Sequence, residues 1–204
     1  MLRELLQRPG VREILELRGT FGFMAIHGGN LERATDVVAR EAAERSGASC
    51  YSVIQAPPLR HHLPSSYFDP AQSPALAAFL DHVDVVVGIH GYGREDRVHQ
   101  LLLGGGNREL AGHLALHLRA GFGAPYEIIA ELHEIPDGLR GMHPDNPVNR
   151  ARAGGVQVEL PPMIRWNREA HNWSDHLATP RAPEVEQLID VLASASREWV
   201  RSSG

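Results

Sequence analysis

Apolar runs that read as strands alternate along this chain with segments whose apolar positions recur at helical spacing. FGFMAIH (21–27) is rich in strand formers and ends in a Gly-Gly pair, and LERATDVVAREAAERSG (31–47) follows with Ala34, Val37, Val38 and Ala42 on one helical stripe. CYSVIQA (50–56) predicts a second strand and ALAAFLDHV (75–83) a short helix. DVVVGIH (84–90) is a continuous β-branched run, the pattern of a strand buried on both faces. VHQLLLG (98–104) predicts another strand, and a GGGN turn then leads into the helix NRELAGHLALHLRAGFG (107–123). PYEIIAEL (125–132) and GGVQVEL (154–160) predict the last strands, with a polar Pro- and Gly-rich segment between them. Val185, Leu188, Ile189 and Leu192 mark one apolar stripe of a C-terminal helix over 184–200. Alternating strands and helices without a long linker predict one α/β domain over 1–204, with helices on an open, mostly parallel sheet.

Composition narrows the class. The 204 residues carry a formal net charge of -5, which offers no electrostatic case for nucleic acid. All 20 basic residues are arginine, so every fixed cation available to a substrate is a planar, bidentate guanidinium. The single cysteine, Cys50, permits neither an intramolecular disulfide nor a cysteine metal cluster. The opening MLRELLQRPGVREILELRG is charged throughout and has no apolar core of a signal peptide, and no run approaches a membrane span. The expectation is a cytoplasmic protein that binds no membrane.

Candidate chemistry collects at predicted strand ends. His27 closes one buried-looking strand and His90 another, and ligands gather at the carboxyl ends of strands in open α/β sheets. Glu32 follows His27 by five residues across a glycine turn, at the predicted start of a helix, where a sharp backbone turn lets the two side chains converge. Two imidazoles and a carboxylate form a catalytic zinc shell with one position left for water. Two satisfied histidines and a helix-start glutamate would look the same residue by residue; HGGNLE together with GIHG favours the metal. Glu159 ends the GGVQVEL strand with Gln157 on the same face, and a carboxylate there suits a general base beside a metal. Asn149 and Arg150, shortly after Asn146, offer an amide and a guanidinium to a carboxylate. In HHLPSSYFD (61–69), His62 and Ser65 could contact substrate, although ordinary turn chemistry explains most of that loop. The GGGN turn (104–107) lacks a nucleotide-binding pattern, and no GxSxG elbow supports a serine nucleophile.

In order, HGGNLE, HLPSSYFD, VVVGIHG, LLLGGGN, NPVNR, GGVQVEL and PPMIR resemble the poly-γ-glutamate hydrolase family, from about residue 20 to about 166. The resemblance implies a zinc-carboxypeptidase-like fold, one Zn2+ held by His27, Glu32 and His90, and Glu159 as the catalytic glutamate. It also matches Asn149–Arg150 to the carboxylate-binding pair of carboxypeptidases, with Arg165 as a second cation for a substrate carboxylate.

The implied activity is cleavage of γ-glutamyl amide bonds, in poly-γ-glutamate or in a smaller γ-glutamyl or N-acyl amino-acid substrate. Enzymes of this kind are often phage-encoded, so release by lysis is one route to an external polymer. Two other readings stay open at this point: an aspartoacylase-like deacylase with the same shell, and a non-catalytic binding module on the same fold. The insertions at 92–100 and 166–175 have no assigned role.

Overall fold

A computed structural model describes residues 1–175 and 180–203; the expected span of 1–204 thus includes 176–179 and 204, which lie outside the described residues. Its centre is a seven-stranded sheet made of β1 (Val11–Glu16), β2 (Gly19–Gly29), β3 (Ala48–Gln55), β4 (Val85–Gly91), β5 (Gln100–Gly104), β6 (Glu127–Ile129) and β7 (Gly155–Leu160). The spatial order is β1-β3-β2-β4-β7-β5-β6. β3, β2, β4 and β7 run parallel at the centre, β1 pairs antiparallel with β3, and β5 pairs antiparallel with β7 while running parallel to β6. This is the mostly parallel, mixed sheet that the alternating pattern predicts. Its carboxyl edge brings together the ends of β2, β4 and β7.

Alternate side chains of the strands face opposite layers. Phe23 and Ala25 of β2, Val87 and Ile89 of β4, and Val156 and Val158 of β7 pack in one core cluster with residues of α2 (Thr35–Ser46), α4 (Arg108–Gly121) and α6 (Pro183–Ser203). Met24, Ile26, Tyr51, Val53 and Val86 face the other way, against α1 (Leu2–Leu6) and α3 (Pro74–His82). Tyr51, Phe23 and Phe79 are among the largest fully buried side chains. At about 25 cal/mol per Å2 of apolar surface removed from water, such residues each contribute roughly 1.5–3 kcal/mol, which is why both layers hold the sheet. Asn107 and Ser73 cap α4 and α3 by accepting from the Leu110 and Leu76 amides at 2.9 and 3.0 Å. Among the described residues no helix is long and apolar enough to cross a membrane.

Four elements differ from the sequence expectation. α1 and β1 were hidden in a charged N-terminal segment, yet β1 is an edge strand whose Val11–Glu16 register with β3 runs Gln55 to Cys50. The strand expected over 125–132 shrinks to Glu127–Ile129, followed by a short 3-10 turn at Leu132–Glu134. The helix expected from residue 31 begins only at Thr35, because Ala34 has a left-handed φ of 73° that interrupts the helical path. Glu32 therefore belongs to the turn before the helix rather than to its first turn.

Candidate metal centre

β2, β4 and β7 each deliver one side chain to the same place. His90 and Glu159 are directly paired in the β4–β7 register, so the pleat puts both on one face. His27 reaches that face through an irregularity in β2. Ala25 pairs with Ser52 and Gly28 with Ile54, so β2 spends one more residue than β3 between these points, a β-bulge. The extra residue turns His27 toward the α3 side, where its ring lies 5.0 Å from the ring of His90, 4.9 Å from that of His62 and 5.7 Å from that of Phe68.

Glu32 is carried back to this point by a closed turn. Its amide donates to the His27 carbonyl at 2.9 Å, and Gly29 at φ +71° makes the reversal possible. A Cβ on Gly29 would stand 2.3 Å from the Gln55 carbonyl oxygen, and one on Gly28 would stand 2.6 Å from the Asp36 Cβ. Both glycines are therefore required by close approach. The Glu32 carboxylate meets His27 Nδ1 at 2.7 Å through Oε1 and His90 Nδ1 at 3.3 Å through Oε2, and Oε2 also accepts from the Gly91 amide at 2.9 Å.

The donor set can be tested for a metal on its own chemistry. His27 Nε2 lies 2.8 Å from the Leu63 carbonyl, which can only accept, so in the neutral ring the proton sits on Nε2. The lone pair of Nδ1 then faces a carboxylate oxygen 2.7 Å away, a contact that either a proton or a metal cation between the two atoms satisfies. His27, Glu32 and His90 offer one ligand atom each, all within 4.8 Å of one another. Ligands 2.0–2.2 Å from a tetrahedral zinc lie about 3.3–3.6 Å apart; the contacts of Glu32 with His27 and His90, at 2.7 and 3.3 Å, are close to that spacing, and the widest separation in the set is under 4.8 Å. The Leu63 carbonyl is the outer partner that a metal-bound imidazole normally has. His90 Nε2, in contrast, is buried without a hydrogen bond. The residues fit a divalent ion.

Electrostatics sharpen the picture. Burial on its own would raise the Glu32 carboxyl, but the imidazoles of His27 and His90 outweigh it and hold that group far below the usual carboxylate range. Burial pushes Glu159 up to about 7, with the Glu32 charge adding to the rise and His90 opposing it. His90 is lowered by burial and raised more strongly by Glu32, for a net rise. Two carboxylates of the same cluster thus hold protons very differently, the division of labour expected of a ligand and a proton acceptor.

The remaining expected residues fall in three places. His62 is exposed and lines a cleft of about 250 Å3 with Ser65, Ser66, His143, Asn146 and Gln157. Arg150 stands exposed, its Nη1 3.9 Å from Asp69 Oδ1. Asn149 spends its amide on the fold: it donates to the Gly141 and His143 carbonyls at 2.7 and 3.0 Å and accepts from the Gly106 amide at 2.8 Å. Arg165 is buried, with Nη1 on the Arg33 carbonyl at 3.2 Å and Nη2 on the Tyr92 carbonyl at 2.8 Å, so it is a cation behind the cluster with its terminal donors engaged. Burial draws its guanidinium down to about 10, against the pull of Glu32 and Glu159. Asn149 thus gives its amide hydrogens to carbonyls, whereas Arg165 keeps a buried Nε without a partner among the described residues, and Arg150 is exposed. Sequence reasoning missed the Leu63 carbonyl and the Gly91 amide, because backbone groups leave no residue signature. Part of the 166–175 segment, β8 (Trp166–Asn167) and β9 (Asn172–Trp173), forms a small hairpin in which Trp173 lies 5.3 Å from the Arg165 guanidinium.

A mixed sheet with His27, Glu32 and His90 gathered at the carboxyl edge of its parallel strands is a carboxypeptidase-like α/β fold. A metallo-carboxypeptidase from Burkholderia cenocepacia shares the fold at a TM-score of 0.53 and 9% identity, covering 100% of this chain and 68% of that one. The chain belongs to the poly-gamma-glutamate hydrolase family, whose model matches residues 8–182. A bacteriophage poly-gamma-glutamate hydrolase superposes with a TM-score of 0.78 at 24% identity, covering 94% of this chain and 90% of that one. UPF0714 protein YndL of Bacillus subtilis (strain 168) is 30% identical over 140 residues, 67% of this chain and 51% of its own. A zinc-free apo structure of YndL superposes with a TM-score of 0.75 at 22% identity over 93% of this chain and 91% of that one. The chain spans about half the length of the curated relatives it matches, at 51% in each case.

Proposed function

We propose that this protein is a zinc-dependent amidohydrolase that cleaves γ-glutamyl amide bonds, with poly-γ-glutamate as the substrate class. The observation that carries the reading is the convergence of ligand atoms from His27, Glu32 and His90 within 4.8 Å, with Glu159 in direct register beside His90. Family membership supports the reaction, and the fold neighbour described as zinc-free supports the ion.

His27, Glu32 and His90 would hold the ion, through Nδ1 of each ring and one carboxylate oxygen. When bound, zinc supplies Lewis acidity, lowering the pKa of a water toward ~7 and polarising a carbonyl. Leu63 holds the His27 ring and the Gly91 amide holds the Glu32 carboxylate, so both ligands are oriented before the ion arrives. Glu159 accepts a proton from the attacking water and returns it to the departing amine. Burial of Glu159 beside the Glu32 charge favours its holding that proton between the two transfers. Arg150, exposed and only loosely paired, engages the free carboxylate of a γ-linked glutamate by a charge-assisted fork. His62, on the cleft wall beside His27, contacts the substrate near the scissile amide.

The test is hydrolysis of poly-γ-glutamate and of small γ-glutamyl and N-acyl amino acids by zinc-loaded wild type, His27→Ala and Glu159→Gln. Polymer cleavage by the wild type that both variants lose is expected. Turnover of N-acyl amino acids alone would replace the polymer by a small substrate. No turnover of any of these compounds by a zinc-loaded wild type would overturn the reading.

A further inference from the structure

Gln157 stands between Glu159 and Asn146 in a chain of hydrogen bonds whose direction is set by chemistry. Its Nε2 lies 2.8 Å from Glu159 Oε1 and 3.5 Å from the Leu139 carbonyl. A carbonyl only accepts, so the amide nitrogen must face this way. Gln157 Oε1 then has to accept, and Asn146 Nδ2 donates to it at 2.8 Å. The same Asn146 nitrogen is 3.4 Å from the Gly141 carbonyl, and Asn146 Oδ1 accepts from the Val148 amide at 3.3 Å. Reversing the Asn146 amide would set oxygen against oxygen at Gly141 and nitrogen against an amide N–H at Val148. All three side chains are buried, and partly satisfied buried networks are costly, so the chain has one stable sense. Gly141 locks it from the side: a Cβ there would come within 2.6 Å of Gln157 Oε1.

We propose that Asn146 and Gln157 are positioning residues that determine which oxygen of Glu159 handles the proton. The inference rests on the reading of Glu159 as general base. Gln157 occupies Oε1, whereas Oε2 makes no hydrogen bond among the described residues. The O–H bond of the attacking water breaks as its oxygen bonds to the amide carbonyl carbon, and its proton passes to Oε2; when the C–N bond breaks, the same proton forms the N–H bond of the departing amine. Oε1 stays an acceptor from Gln157 throughout, so the carboxyl does not rotate between the two transfers. The Asn-x-Val and Gln-x-Glu spacings carry this role, and neither is explained by the metal or by the packing alone.

Two variants and one spectrum test it. Asn146→Asp keeps an oxygen for the Val148 amide but presents an acceptor to Gln157, so Gln157 turns over and withdraws its donor from Glu159. Gln157→Leu removes the donor at similar volume. For each, kcat on poly-γ-glutamate is expected to fall on the order of 10- to 100-fold, the scale for losing the partner of an oriented active-site group. KM and zinc content are expected to hold, and the double variant to be no worse than the poorer single one. In the wild type, the Gln157 side-chain amide protons are expected to resist hydrogen exchange by NMR with or without zinc, and in Asn146→Asp they should shift. Wild-type kcat in a folded, zinc-loaded Asn146→Asp would overturn the proposal, as would a loss that merely follows zinc content. So would freely exchanging Gln157 amide protons in the wild type. If the wild type turns over no γ-glutamyl amide, the functional reading fails instead, and the amide spectrum then decides the relay by itself.

Discussion

His27 and His90 meet edge to face, with ring centroids 5.0 Å apart and planes at 83°, although simple strand alternation would send them to opposite faces of the sheet. His27 has the same parity as Phe23 and Ala25, which face α2, while His90 has the parity of Val86, which faces α3. The bulge between Ala25 and Gly28 reverses the sense of β2 just before its end. One inserted residue thus brings two unrelated strand ends together as a facing pair of imidazoles, and Glu32 joins them from the turn that follows.

Zinc is expected to stabilise the folded protein through this pair. An ion at about 1,000 times its dissociation constant adds roughly 4 kcal/mol when it binds only the folded state. For a chain of about this size each kcal/mol moves Tm by roughly 2–4 °C, so the midpoint should rise by roughly 8–16 °C. His27→Ala removes a ligand and leaves a small void, so its metal-free Tm should fall slightly and its zinc response should vanish. Thermal melts with and without zinc, before and after chelation, measure this. An unaltered zinc response in His27→Ala would place the ion elsewhere.

The metal-free protein should carry a stability signature of Glu159. Its folded carboxyl sits at about 7, against an ordinary value of 4.5. A raised value means that the folded state holds the proton more tightly. The stabilisation is therefore complete below about 4.5 and is lost as pH rises through about 7. A difference of that size corresponds to roughly 3 kcal/mol at most. Glu159→Gln cannot titrate, so without metal it should gain on the wild type between pH 4 and 8 by up to about that amount. Urea unfolding at the two pH values reports the gain, and parallel curves for the two proteins would remove the assigned cause.

The convergence of His27, Glu32 and His90 was legible in the sequence because strand ends and glycine pairs have local signatures. HGGNLE announces a turn with ligand-type residues on both sides, and VVVGIHG announces a buried strand that ends in an imidazole. The position of Glu32 outside its helix was not legible, since the left-handed Ala34 breaks a run that otherwise reads as helical from Leu31. β1 stayed hidden for a related reason. An edge strand needs only one apolar face, and VREILE shows too few apolar residues to stand out from its charges. The contacts of Asn149 and Arg165 with backbone carbonyls depend on loops brought together only by the fold, so residue type alone does not announce them.

Cys50 should be chemically silent in the folded protein. Its thiol is buried in β3, and burial pushes it up to about 12, with Ser52 opposing weakly. The thiolate is the reactive form, so at pH 7 only about one molecule in 10^5 is available, before access is considered. Labelling by an aromatic disulfide reagent is expected to proceed only as fast as the protein opens, and to become rapid in urea. Fast stoichiometric labelling under native conditions would show that β3 is open to solvent.

Gly29→Ala tests whether the turn builds the metal centre. The residue sits at φ +71°, where a side chain costs about 1–2 kcal/mol, and its new Cβ would press on the Gln55 carbonyl at 2.3 Å. Neither neighbour can yield cheaply, since the Gln55 carbonyl accepts from the Asn30 amide at 2.8 Å within the same turn. The expected total is about 2–4 kcal/mol of lost stability, at the upper end for a single substitution. The turn also sets the distance from Glu32 to His27, so zinc affinity should drop along with stability. Gly47→Ala is the control, because Gly47 has a similar φ of +75° but nothing within 4 Å of an added Cβ. It should lose about 1–2 kcal/mol and keep its full zinc response. Titrating both variants with zinc, at a temperature where each is folded, separates the two effects. Equal zinc affinities for Gly29→Ala and Gly47→Ala would mean that Glu32 does not depend on this turn for its place beside His27.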